Sequence, residues 1–156
     1  MTISRLVKIA AYLTLIPFFF SFKSFTVSVV RSDTVEQDIL YYVNLDRKAK
    51  GLGPLQLNEA ASSIAERHSR NMASGKTPFG HDGLTSRAKL LKKKLGSITS
   101  VGENVASGRM TAKEVVDGWL NSPGHRKNIE GDFTITGIGL AKDRAGTIYF
   151  TQIFTK

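Results

Sequence analysis

From residue 35 to about residue 121 the apolar positions return every three or four residues, and after residue 133 they give way to β-branched and aromatic runs. Val35, Ile39, Leu40 and Val43 share one helical face, and Asp33 with Glu36 three residues on resembles a capping box, so a helix is expected over 34–49, stopping before Gly51. "GLGPLQ" is a turn-rich joint. Asn58 then caps "EAASSIAERHSRNMASG", in which Ala61, Ile64, Ala65, His68 and Met72 form one stripe and Gly75 supplies the stop. "KTPFGHDGLTS" has no period and reads as a loop. "SRAKLLKKKLG" predicts a short helix with Leu90, Leu91 and Leu95 inward and its lysines in water.

"SVGENVASG", residues 100–108, reads as a glycine-flanked turn, with "SITSV" just ahead of it as one added short strand. Thr111 and Glu114 form a second capping box, and the helix that follows buries Val115, Val116 and Trp119 until Pro123 ends or kinks it. "FTITGIGLAKD" and "GTIYFTQIF" are expected strands joined by a hairpin at "DRAG". Helices first and strands last predict an α+β domain with helices packed on an antiparallel sheet.

The first thirty residues follow another pattern. Arg5 and Lys8 precede an apolar run from Ile9 to Phe22, and no acidic residue occurs before Asp33. Fourteen residues at about 1.5 Å each fall short of a hydrocarbon core of about 30 Å. A cleaved signal peptide over 1–30 is therefore favoured over an uncleaved N-terminal anchor, in which residues 9–22 would be the membrane contact. The remainder, 31–156, shows no repeat or low-complexity tract and is expected to be one domain. Removing Arg5, Lys8 and Lys23 from 22 basic residues leaves 19 against 13 acidic ones, a net charge of +6. That balance suits anionic surfaces without selecting a specific nucleic acid. The chain has no cysteine, which excludes disulfides, a thiol nucleophile, a thiolate zinc site and cysteine lipidation.

Candidate chemistry rests on the three histidines. His81 lies in the glycine-rich loop and His125 follows the Ser122-Pro123-Gly124 break, whereas His68 sits on an apolar stripe and reads as a satisfied core histidine. His81, His125 and Glu103 are together a legitimate ligand set for zinc or another divalent ion with water completing the shell, although spacings of 22 and 22 residues match no local ligand motif. The competing reading is structural: Glu103 receiving orphan backbone N–H groups, Asn104 in a left-handed conformation, and the Ser-Pro-Gly run resetting the chain. Ser122 with His125 as nucleophile and base lacks a third orienting group and an oxyanion hole.

"FGHDG", "VGENVASG", "EVVDGWLNSPGHRKNI" and "GIGLA…GTIYFTQIF", in that order, resemble the bacterial branch of the CAP superfamily, also called the SCP domain, over about residues 35–155. The resemblance implies a three-layer α-β-α sandwich with a central, mostly antiparallel sheet, and a secreted protein. It also implies a cleft formed here by His81, Glu103, His125, Ser122 and Asn104, able in some members to hold a cation such as zinc. Ser122 stands where eukaryotic members carry a second glutamate, which weakens the expected cation affinity; Asp82 is a nearby carboxylate that could substitute. The sterol role of some members does not transfer.

The expectation is an exported, monomeric protein, secreted or bound to the cell envelope, whose cleft takes a lipid, wall polymer, protein ligand or divalent cation without turning it over. One alternative is a metal-assisted hydrolase in which an ion activates water and Glu103 is the general base. Another is a structural module held to envelope polymers by the basic helix "SRAKLLKKKLG".

Overall fold

The structure, a computed structural model, describes residues 34–156. The expected leader over 1–30 and the Asp33 cap lie outside the described residues. Within them nine elements follow: α1 Val35–Ala49, β1 Gln56–Leu57, α2 Glu59–Ala73, α3 Leu84–Leu95, β2 Val101–Gly108, α4 Ala112–Asn121, α5 Pro123–Ile129, β3 Ile135–Lys142 and β4 Ile148–Thr155. Among the described residues no helix is long and apolar enough to cross a membrane.

The strands form one sheet in the order β1-β3-β4-β2, with β3–β4 and β4–β2 antiparallel and the two-residue β1 parallel to β3. Helices cover both faces, giving the three-layer α-β-α sandwich. On one face α1, α4 and α5 bury Ile39, Val43, Val115, Val116, Trp119 and Ile129 against Ile138, Phe150 and Phe154. On the other, Ala61, Ile64 and Ala65 of α2 and Leu91 of α3 pack on Ile153. β4 lies inside both layers, so Phe150 to Thr155 are all buried instead of alternating. Its polar side chains bond within the layers: Thr151 Oγ1 lies 2.8 Å from Ser69 Oγ, which donates to the Gly139 carbonyl, and Gln152 Nε2 donates to Thr136 Oγ1 at 3.1 Å, while Gln152 Oε1 is buried without a partner among the described residues.

Two glycines explain how close α2 comes. A Cβ on Gly137 would collide with the backbone of Ala61 and Ser62. One on Gly139 would stand 2.7 Å from Glu66 Cβ and nearer still to the Glu66 backbone. The "GIG" of β3 is thus a bare track on which the helix backbone rests. Arg47 is the other tie. It is 3% exposed and donates through Nε to the Gly53 carbonyl (2.8 Å), through Nη1 to those of Ile129 (2.7 Å) and Gly131 (2.9 Å), and through Nη2 to that of Phe133 (3.1 Å), fixing the end of α5 to α1.

Several expectations need correction. Thr34 caps α1, its hydroxyl accepting from the Gln37 N–H. Asn58 and Thr111 cap as expected, the latter in a complete box with Glu114. "VGENVASG" is not a turn but the whole of β2, because pairing with β4 over eight residues outweighs its low β-propensity. Pro123 does not simply end a helix; it opens α5, since the missing N–H costs nothing in a first turn. The strands are also not confined to the C-terminus: β1 and β2 lie between the helices.

Candidate functional site

β2 is an edge strand, and successive residues on it face opposite layers. Glu103 pairs with Ile153 and turns toward α2 and α3; Asn104 pairs with Gln152 and turns toward α5. The Thr134 and Thr136 carbonyls are taken by the N–H groups of Gln56 and Asn58. Alternation therefore directs the main-chain groups of Ile153 to β3, those of Gln152 and Phe154 to β2, and those of Glu103 and Val105 out of the sheet. Their carbonyls meet side chains there: Asn128 Nδ2 donates to the Glu103 oxygen at 3.1 Å and Trp119 Nε1 to the Val105 oxygen at 3.2 Å.

The Glu103 carboxylate is fully buried and makes three charge-assisted contacts. Arg87 of α3 forks onto it, Nε to Oε2 and Nη2 to Oε1, both at 2.6 Å. His81 Nδ1 lies 2.9 Å from Oε1. An ionised carboxylate only accepts, so Nδ1 carries the proton. The remaining donors of Arg87 go to His68 Nδ1 (Nη1, 3.1 Å), the Asp82 carbonyl (Nη1, 2.8 Å) and the His81 carbonyl (Nη2, 3.3 Å). Because His68 Nδ1 must accept from Arg87, its Nε2–H donates to the Gly80 carbonyl at 2.8 Å. Nε2 also stands 3.9 Å from Glu103 Oε1, but with the ring neutral this is proximity and not an ion pair. Burial is the main influence holding the His68 pKa below its ordinary value, assisted by the Arg87 charge and opposed by the Gly80 hydrogen bond.

His81 itself is half-exposed, its side chain retaining 46% of its accessibility, and Nε2 has no partner among the described residues. His125 comes from α5, on the far side of the β2 edge. Its pKa is lowered first by burial and then by the charge of His81. Asn104 Nδ2 donates to the His125 carbonyl at 3.1 Å, and Asn128 Nδ2 donates to Asn104 Oδ1 at 2.9 Å. Gly102 leaves room for this contact, since a Cβ there would stand 2.8 Å from Asn128 Oδ1 and displace that side chain.

Asn104 thus positions the helix carrying His125 through its amide, with ordinary φ, and not by a left-handed turn. Glu103 receives side-chain donors, not orphan backbone N–H groups. Ser122 is shared between the end of α4 and the start of α5, and its hydroxyl makes no capping bond. Asp82 takes part through its carbonyl, which accepts from Arg87. Arg87 escapes sequence reasoning because it opens a run of basic residues; the available signal was that Arg87 and Leu91 lie one turn apart on the inward face.

The donor set does not fit the divalent ion that the resemblance implies. Both Glu103 oxygens are committed to a guanidinium, and among the described residues no group of three or more His, Asp or Glu side chains is placed to hold a metal. What the structure holds is a closed, charge-balanced Arg87–Glu103 pair with the half-exposed His81 ring set against it.

Residues 40–154 match the family model described as the cysteine-rich secretory protein family, CAP. The Bacillus subtilis protein YkwD is 37% identical over 124 residues, covering 78% of this chain and 47% of that protein. The B. subtilis membrane protein YlbC is 34% identical over 128 residues, 79% and 35% of the respective lengths. The chain therefore spans about half, or less, of the curated relatives it matches. Among solved structures, an extracellular SCP-domain protein of Bacillus anthracis superposes with a TM-score of 0.67 at 29% identity, over 78% of this chain and 40% of that one. An outer surface protein of Borrelia burgdorferi gives 0.64 at 23% identity, over 79% and 95%, a likeness of fold alone. With the histidine loop, the edge-strand glutamate and the Pro-Gly-His helix all inside the matched segment, this chain belongs to the CAP family.

Proposed function

We propose that this protein is an exported CAP domain that binds a polar ligand of the cell envelope between His81 and His125 without turning it over. One observation carries the reading: the His81 ring is half-exposed, while its Nδ1 is held by a carboxylate that is itself immobilised by Arg87. Such a ring offers Nε2 in a fixed direction as a hydrogen-bond partner. The same clamp argues against hydrolysis, because a carboxylate with both oxygens on a guanidinium is not free to act as a base, and the Ser122 hydroxyl has no hydrogen bond to an imidazole. Export is supported by the leader-like residues 1–30 and by the similar SCP-domain protein of Bacillus anthracis, which is described as extracellular.

The test compares retention of the unmutated protein, His81→Ala and His125→Ala on isolated cell wall and on lipid vesicles, alongside a peptide and ester turnover panel. Loss of retention in both variants with no turnover is expected; turnover that depends on His81 would sink the reading.

A second reading has its own support. α3 turns Lys89, Lys92, Lys93 and Lys94 to solvent, and none has an acidic partner among the described residues. This row suits adsorption to an anionic wall polymer. That adsorption would fall steeply with salt and survive loss of both histidines.

A further inference from the structure

The carboxylate beneath the cleft already has a cation. We propose that the Arg87 guanidinium is a built-in substitute for a divalent ion: it occupies both oxygens of Glu103, excludes metal from them, and through Glu103 fixes His81 as the Nδ1–H tautomer with Nε2 free. The inference does not depend on which ligand the cleft takes.

The geometry is complete on both sides of the pair. A guanidinium has five N–H donors. All five of Arg87 have acceptors: Glu103 Oε2 and Oε1 at 2.6 Å, the Asp82 carbonyl at 2.8 Å, His68 Nδ1 at 3.1 Å and the His81 carbonyl at 3.3 Å. Two of these are main-chain oxygens from the segment that carries His81, so Arg87 holds that loop by its backbone as well as by its imidazole. His68 anchors the other end on the Gly80 carbonyl, and α2 is in turn seated on the β3 glycines. The proton positions along Gly80, His68, Arg87, Glu103 and His81 are therefore all dictated, because arginine only donates and the carboxylate only accepts.

A divalent ion on Glu103 would have to displace a bidentate guanidinium whose side chain is 9% exposed, leaving that charge buried beside a dication. The charge balance makes the same point. Glu103 and Arg87 cancel, so the floor of the cleft is neutral without any ion. Arg87 is a positioning residue for His81 and sets what the cleft rejects.

The test is a calorimetric zinc titration of the purified full chain, with imidazole tautomers read by two-dimensional ¹⁵N NMR. In the unmutated protein His81 should show the Nδ1–H form, and any zinc affinity should change less than about twofold in Glu103→Gln. Arg87→Gln should gain at least about tenfold in zinc affinity, and the gain should vanish in the double variant Arg87→Gln/Glu103→Gln. Arg87→Lys keeps a positive charge but not the fork, so it should fold and show mixed His81 tautomers, a change that a purely space-filling arginine would not produce. Should Arg87→Gln fail to fold, the lysine variant and the unmutated protein still decide. Zinc affinity in the unmutated protein that drops tenfold or more in Glu103→Gln, or an Nε2–H form of His81, would overturn the proposal.

Discussion

Gly139→Ala adds one methyl group at the place where the structure has no room for it. The new Cβ would stand 2.7 Å from Glu66 Cβ and nearer still to the Glu66 backbone, while ordinary contact begins at 3.4 Å; the backbone contact sets the displacement, so α2 must retreat by about 1 Å or more. A radial gap of that size forfeits about half of the dispersion attraction along the contact. It acts on Ala61, Ile64, Ala65 and His68 together, because they line one face of the helix. Overpacking of this kind costs about 1–3 kcal/mol, and since the obstacle is helix backbone and not a flexible side chain, about 3 kcal/mol is expected. For a domain of this size that lowers Tm by roughly 10 °C in a calorimetric or circular-dichroism melt. The displacement also draws His68 away from Gly80 and Arg87, so the His81 amide and ring resonances should shift although Gly139 touches neither. Gly118→Ala is the matched control: it lies inside α4, its Cβ would meet nothing within 4 Å, and about 0.5–1 kcal/mol of stabilisation is expected. A Gly139→Ala variant melting within about 2 °C of the unmutated protein would refute the close-packed account of the "GIG" segment.

Stability should fall with acid through His68 and His125. Both have folded pKa values lowered by burial, so the unfolded chain takes up protons first, and stability present above about pH 6.5 is lost as pH falls below it; urea midpoints at pH 7.5 and 5.5 measure the loss, and His125→Gln should reduce it. Arg47→Lys should cost about 2–4 kcal/mol, because an ammonium cannot reach four carbonyls spread over Gly53, Ile129, Gly131 and Phe133; a urea midpoint unchanged from the unmutated protein would contradict this. Trp119→Phe should cost about 1 kcal/mol beyond any packing loss by orphaning the Val105 carbonyl, with faster amide exchange in β2 as its signature.

The helices were legible where local chemistry and burial agree. The stripe Ala61, Ile64, Ala65, His68 and Met72 is buried as its period required, and the Asn58 and Thr111 caps close as their side chains dictate. β2 was not legible, since Gly102, Asn104, Ala106 and Gly108 carry no strand preference and only the partner strand makes them one. α5 was hidden by reading Pro123 as an end, when a proline fits a first turn equally well. At the site, the types and order of His81, Glu103 and His125 marked the residues to watch. The identity of the cation among them was invisible, because a basic side chain in a lysine-rich helix reads as solvated until a buried carboxylate is placed opposite it.

The two donors that reach the outer side of β2, Asn128 and Trp119, have a consequence for how this chain meets its own kind. An edge strand normally offers a row of vacant acceptors on which a stray strand can register, the first step toward fibrils or swapped dimers. Here the carbonyls of Glu103 and Val105, consecutive places in that row, already hold side-chain donors. An incoming strand would find the ladder interrupted at two successive places, so this edge can stay bare without becoming a template for polymerisation.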